Sequence, residues 1–317
     1  MSTLPIYTPP FFLFNAHLET VYPSLLRRVS SRPYVRERIT TPDDDFLDLD
    51  WIKTGSSKVM IISHGLEGNS ERAYVRGMAR AGYENGFDVL AWNFRGCSGE
   101  VNRQLRFYHS GATDDLDVIV EHARKSYAEI YLVGFSLGGN LTLKYLGERQ
   151  VKPEVKKAAV FSVPMNLGTS CDKIAEASNW IYQRRFLKSL VQKVVQKSPY
   201  FKELDTKGIQ VLKTLRDFDD RYTAPLHGFN DAAHYYEKCS SIHFVDNIQI
   251  PTLIVNAAND PFLSRDCYPA DQLRTHKHVV FESPDFGGHV GFSQFSKNGL
   301  YWSEERALKF LLNDIPL

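Results

Sequence analysis

Apolar residues along this chain follow two rhythms that change at defined points. Early on, the β-rich stretches 35–40 and 46–53 flank Pro42-Asp43-Asp44-Asp45, a turn composition, and predict a hairpin. The pattern then tightens. Residues 58–63 (KVMIIS) form a continuous apolar run, as expected of a strand covered on both faces. A helical stretch over 70–85 follows, then a strand at 88–93 (DVLAWN) and a helix over 112–126 with Leu116, Ile119, Val120 and Ala123 on one face. A strand at 129–133, a helix through 140–148 and a strand at 158–163 continue the series. Such alternation predicts an α/β fold, a mostly parallel central sheet flanked by helices.

After Leu167 the alternation stops, and residues 168–245 read as helices and loops. It resumes with a strand at 251–256, a helix near 268–275, a strand at 278–281 and a terminal helix at 303–312. The predicted organisation is one core, residues 1–167 and 246–317, interrupted by a helical cap insertion at 168–245. Within the insertion, residues 179–197 place Phe186, Leu187, Leu190, Val191, Val194 and Val195 at helical spacing. Arg184, Arg185, Lys188, Lys193 and Lys197 accompany them without an acidic residue. Two readings fit: a cap helix packed on the core with its charges in water, or a roof over an acyl pocket that also rests on an anionic lipid surface.

Composition narrows the function classes. The 317 residues are 43% hydrophobic and 24% charged with a net charge of +1, a globular balance with no general pull toward nucleic acid or anionic membrane. Cys97, Cys171, Cys239 and Cys267 form no CxxC pair and read as reduced, structural thiols. The opening MSTLPIYTPPFFLF lacks a positive n-region and is interrupted by proline, so it does not read as a signal peptide. No transmembrane stretch is expected, and a cytoplasmic enzyme of unspecified oligomeric state is the default.

The chemistry concentrates at Gly134-Phe135-Ser136-Leu137-Gly138, a G-x-S-x-G between a strand and a helix. There a serine sits on a strained turn, and flanking side chains would clash. The alternative is a glycine-rich turn with an incidental serine. A serine nucleophile needs a base, and on this kind of turn the chain order is serine, acid, histidine. His276 and His278 precede or open the last strand, at the wrong edge of a parallel sheet, and read as two imidazoles on one strand face without a third metal ligand. His289 follows that strand, in a loop where Gly287 and Gly288 give the backbone freedom, and is the predicted base. Asp260 follows strand 251–256 and is the predicted acid, with Asp266 a competitor more suited to helix capping. The oxyanion donors are expected to be the backbone N–H groups of Leu137 and of Leu66 in His64-Gly65-Leu66-Glu67-Gly68. His64 reads as structural, Arg95 as a loop stabiliser, and Ser110 or Thr113 as a helix cap. No metal and no cofactor are expected.

Together these residues resemble the α/β-hydrolase superfamily, and more narrowly its YheT-like branch. Beyond Ser136, Asp260 and His289, the resemblance rests on Asn15-Ala16-His17-Leu18-Glu19-Thr20, HGLEG at 64–68, and Phe218-Asp219-Asp220-Arg221-Tyr222 with Gly228-Phe229. Tyr235-Tyr236 and Gly288-His289-Val290-Gly291-Phe292 extend it across nearly the whole chain. It implies the triad and a reaction on carboxylic esters, by hydrolysis or acyl transfer, in a branch whose substrates include acylglycerols and medium-chain esters. Asn259 departs from it, standing where an acidic residue is expected beside Asp260. The expected function is hydrolysis of short- or medium-chain carboxylic esters, a small-molecule substrate. The alternatives are an acyltransferase with an alcohol acceptor, and a binding protein on the same scaffold.

Overall fold

The computed structural model describes residues 7–313; the beginning of the proline-interrupted opening, residues 1–6, lies outside the described residues. Helix α1 (Ala16–Leu26) comes first and was not signalled by periodicity. Its start is capped by Asn15, whose side chain accepts from Leu18 N–H at 2.9 Å. Strands β1 (Val35–Thr40) and β2 (Phe46–Ile52) form the antiparallel hairpin. Its register sets Arg36 opposite Asp50 and Arg38 opposite Asp48, both bidentate at 2.7–2.8 Å. Those pairs let two aspartates sit in a strand that is buried along its length.

The core continues as β3 (Lys58–Ser63), α2 (Ala73–Glu84), β4 (Asp88–Asn93), α3 (Thr113–Ala123), β5 (Glu129–Phe135), α4 (Leu137–Glu148) and β6 (Val155–Phe161). Among the described residues the sheet has eight strands once β7 (Thr252–Val255) and β8 (Val279–Glu282) join it, in the order β1-β2-β4-β3-β5-β6-β7-β8. From β4 onward in that order every pairing is parallel; β1 with β2 and β2 with β4 are antiparallel. Along β3, Val59 and Ile61 join the core under α3 and α4, while Met60 and Ile62 join the core under α2 and the C-terminal α11 (Trp302–Leu312). Burial on both faces is why the run is continuously apolar. β6 begins three residues before the expected start, where the exposed or half-exposed Lys156 and Lys157 mask the pattern. The expected helix at 268–275 is a single short turn, α10 (Ala270–Leu273).

Between β6 and β7 no strand occurs among the described residues. This stretch carries α5 (Leu167–Ala175), α6 (Trp180–Lys197), α7 (Leu215–Phe218), α8 (Ala224–Leu226) and α9 (Ala232–Cys239). The apolar stripe of α6 turns inward: Leu187 and Val194 are buried, and Phe186, Leu190 and Val191 pack beside them, with only Val195 left outside. Two of its five cations differ from expectation. Lys197 is fully buried, donating to Asn102 Oδ1 (2.8 Å) and Arg106 O (2.9 Å), and burial holds its ammonium down to about 7. Lys193 bridges to Glu67 at 2.7 Å.

Other expectations are corrected. Neither Ser110 nor Thr113 caps α3: its N-cap is Ala112, Ser110 Oγ accepts from Asn140, and Thr113 donates to Glu148. Asp266 lies exposed in a 3-10 turn that has no side-chain cap. His276 and His278 stand in the loop before β8, not on a strand face, and His276 Nδ1 accepts two backbone N–H bonds there. All four cysteines are buried and unpaired. Arg95 is the loop stabiliser, buried between Asp115 (2.8 Å), Asp43 (2.9 Å) and Asp45 (2.9 Å), and joins the hairpin turn to α3.

Removing Arg95 leaves two buried carboxylates without their main counter-charge. Arg95→Met should lower unfolding stability by about 3 kcal/mol, Arg106 retaining one contact to Asp115. Urea unfolding measures this; a loss below about 1 kcal/mol would mean the aspartates are adequately held by their other partners.

Candidate active site

Ser136 stands between the end of β5 and the first turn of α4 with φ 52° and ψ −121°, a conformation non-glycine residues avoid. The turn closes because its neighbours have no side chains. A Cβ at Gly134 would lie 2.6 Å from Gly138 O, and one at Gly138 would run into the carbonyls of Ser63 and His64. The β3 end thus approaches the turn closely, and a Cβ on Gly65 would already be 3.1 Å from that of Ser136.

The structure brings Ser136, His289 and Asp260 together. His289 Nε2 is 2.9 Å from Ser136 Oγ, and His289 Nδ1 is 2.9 Å and 3.1 Å from the two Asp260 oxygens. With the carboxylate on Nδ1, the consistent tautomer has Nδ1–H donating to Asp260 and Nε2 accepting from the serine hydroxyl. Asp260 is buried and also accepts from Phe262 N–H at 2.9 Å, and the His289 side chain is 11% exposed. These three residues come from the carboxyl ends of β5, β7 and β8, which lie on one edge of the sheet.

The expected oxyanion donors fit this placement. In the loop after β3, Gly65 N–H donates to Tyr74 OH, Glu67 N–H to Tyr108 OH and Gly68 N–H to Gly65 O. Leu66 N–H and Leu137 N–H have no acceptor among the described residues, and both residues border the cavity beside Ser136. The Leu137 amide is also the first of α4, where the helix dipole favours negative charge. His64 is fully buried below: Nδ1 meets Gly65 O at 2.8 Å, Nε2 accepts from Phe94 N–H, and burial holds the imidazole down to about 3, so it stays neutral.

Two cavities meet at Ser136. One, of about 130 Å³, runs beneath α6 and is walled by Phe186, Leu190, Leu215 and Tyr222, with Asp219 in its lining. The other, of about 270 Å³, opens on the opposite side between α1 and the start of α6, past Leu25, Arg72, Ile181 and Arg185. Leu66, Ser136, Phe186, Phe262 and His289 border both.

Several residues beside the site were named in the sequence only as helix charges or members of a string, without a role. Lys193 reaches down from α6 to Glu67 (2.7 Å) and Cys97 Sγ (2.9 Å), tying the roof to the Leu66 loop; Tyr108 OH donates to the same Glu67 at 2.7 Å. Glu19 and Thr20 of α1 accept from the N–H groups of Gly287 and His289. Burial pushes the Glu19 carboxyl above its ordinary value. The signal available was chemical type at odds with context, a lysine on an apolar helix face and a glutamate in an apolar opening segment.

The comparisons agree with this architecture. Residues 58–293 match the family described as alpha/beta hydrolase fold. The chain is 33% identical over 288 residues to the "Putative esterase YheT" of Escherichia coli (strain K12), covering 88% of this chain and 84% of that one. It is 29% identical to "Phospholipase ABHD3" of Bos taurus, over 86% of this chain and 73% of that one. Among solved structures, the esterase Pf2001 of Pyrococcus furiosus superposes with a TM-score of 0.61 at 17% identity, over 99% of this chain and 100% of that one, a likeness of fold.

Asp219 gives the cavity a measurable property. It is half-buried in the lining of the chamber, and burial pushes its carboxyl up to about 6 while Thr223 and Tyr236 donate to it. The folded chain therefore keeps a proton that the unfolded chain releases near pH ~4. The stability contributed by this group is present below that pH and lost as pH rises through about 6. Asp219→Asn should gain on the wild type across that window, by on the order of 2 kcal/mol, and run parallel above it. Thermal melting at stepped pH reads the difference; parallel curves throughout would show the carboxyl titrates normally.

Proposed function

The chain belongs to the α/β-hydrolase fold family, and from that footing we propose that it is a carboxylic ester hydrolase acting through an acyl-enzyme on Ser136. The observation that carries this reading is the hydrogen-bonded line Ser136–His289–Asp260 beside two unpartnered backbone N–H groups. Ser136 Oγ attacks the ester carbonyl as its proton passes to His289 Nε2. The carbonyl oxygen, now an anion, takes hydrogen bonds from Leu66 and Leu137 N–H. The C–O bond to the alcohol breaks, and the imidazolium returns its proton to the leaving oxygen. Water then repeats the sequence on the acyl-serine. Asp260 keeps the imidazole in the required tautomer and stabilises its charge. The names of the relatives, "Putative esterase YheT" and "Phospholipase ABHD3", are consistent with an ester substrate.

The two cavities divide the ester. The apolar chamber under α6 suits the acyl chain, and its volume of about 130 Å³ favours short or medium chains. The second, wider cavity suits the alcohol portion, and an acceptor alcohol seated there would turn the same acyl-enzyme to transfer. Residues 168–245 act as the cap that sets chain preference. A lipid–water surface is the proposed source of substrate. Leu25, Trp180 and Ile181 are more than half exposed on the rim of the second cavity or next to it, with Arg184 and Arg185 following on α6.

Ser136→Ala should lower kcat by on the order of 10⁴–10⁶ with the fold intact, and a fluorophosphonate should label the wild type but not this variant. Asp260→Asn should cost on the order of 10⁴ in kcat. Equal labelling of the serine variant, or a loss under tenfold for the aspartate variant, would overturn the assignments.

For the cap, Leu190→Asp should shift the chain-length profile of nitrophenyl esters more than it slows acetate ester turnover. Product analysis with water and added alcohol separates hydrolysis from transfer. Sedimentation with anionic vesicles should show salt-sensitive binding that Ile181→Asp weakens; no binding by the wild type eliminates the lipid surface and leaves a packed lid.

A further inference from the structure

We infer that Glu19 and Asn259 act as a paired positioning clamp that fixes the His289 loop, so that the imidazole stays in line between Asp260 and Ser136. The inference rests on the reading of His289 as the base. The loop holds itself only in part. Gly291 and Phe292 N–H both donate to Gly287 O at 3.1 Å, but Gly287, Gly288, Val290 and Phe292 all have positive φ, and no helix or strand ladder takes the amides from 287 to 290. Instead four successive N–H groups end on side-chain oxygens. Gly287 donates to Glu19 Oε2, Gly288 to Asn259 Oδ1 (3.0 Å), His289 to Thr20 Oγ1 (2.9 Å) and Val290 to Ser162 Oγ (2.8 Å). Thr20 in turn donates to Ala16 O at 2.7 Å, so its oxygen is free to accept in one orientation only.

The link between the two members has a fixed polarity. Asn259 Nδ2 donates to Glu19 Oε1 at 2.9 Å while its Oδ1 accepts from Gly288. Glu19, almost wholly buried, accepts from both Asn259 and Gly287 and donates nothing. Asn259 is also the residue before Asp260, so one dipeptide grips the loop backbone with its first side chain and the imidazole with its second. A shift of Asn259 therefore moves His289 relative to both Asp260 and Ser136.

This polarity dictates the test. In Glu19→Gln a single oxygen must serve two donors, so either Asn259 Nδ2 or Gly287 N–H faces an amide nitrogen with nothing between them. In Asn259→Asp two carboxylates face each other and one must take up a proton. In the double variant the amide introduced at 19 donates to the carboxylate introduced at 259, which still accepts from Gly288, while the oxygen at 19 accepts from Gly287. Every bond is restored and the net charge is unchanged.

The expected result is a double-mutant cycle with strong coupling. Glu19→Gln should lose on the order of tenfold to a hundredfold in kcat on a nitrophenyl ester and in the rate of fluorophosphonate labelling, with KM within about threefold. The double variant should return to within about threefold of the wild type. Hydrogen exchange at the Gly287, Gly288 and His289 amides should speed up by at least tenfold in Glu19→Gln and recover in the double variant. Additive losses, a Glu19→Gln variant at the wild-type rate, or unchanged exchange would each overturn the clamp. If Glu19→Gln does not fold, recovery of folding by the second substitution reads the same pairing, and a double variant that stays unfolded overturns it. A wild type that neither labels nor turns over any ester would sink the ester-hydrolase reading alone, because the exchange measurement still decides the clamp.

Discussion

The rest of the molecule is arranged around one strained residue, Ser136, held at φ 52° between β5 and α4. That conformation persists only because its surroundings over-determine it. Gly134 and Gly138 give up their side chains to let the helix start against the ends of β3 and β5. β5 is paired on both sides, with β3 and β6, so the strand that carries the serine cannot relax sideways. The sheet supplies rigidity at the one point where the backbone is unfavourable, and the parallel order of β3, β5, β6, β7 and β8 sends every following loop to the same edge.

Around that point polar groups divide by function. Arg95 with its aspartates, and the cross-strand arginine–aspartate pairs of the hairpin, use charge to hold structure away from the serine. Beside the serine, the chamber is lined mostly by apolar side chains, and a low-polarity lining strengthens each remaining electrostatic contact. Lys193 links the two regions. Its bridge to Glu67 puts a charge-assisted bond between the chamber roof and the loop that carries Leu66 N–H. Roof position and donor position are thereby coupled, and Tyr108 holds the same glutamate from below.

What was legible in the sequence follows from what each signal measures. The central strands were readable because a strand covered on both faces must be continuously apolar, and the turn carrying Ser136 because only glycine fits its flanks. The starts of β6 and α10 were less so, since solvent contact at an element's end removes the constraint. The direction of the α6 stripe was readable, but not the inward turn of Lys193 and Lys197, because a cation at helical spacing looks the same whether it meets water or an oxygen of the protein. The caps expected of Ser110 and Thr113 failed for a related reason. Asn140 and Glu148, distant in sequence, were better partners than the adjacent helix end.

Asn259 is the sharpest case. Against a family pattern it looked like a lost carboxylate. In the fold it is an amide wedged between a carboxylate and a backbone N–H, and only a group that donates on one side and accepts on the other satisfies both. The identity required at 259 is thus conditional on the identity at 19, a residue in a helix that periodicity did not reveal and 240 positions away in the chain. A position read alone reports a departure; the pair reports hydrogen-bond polarity. The same condition accounts for the burial of a glutamate in α1, which solvation of its charge would oppose.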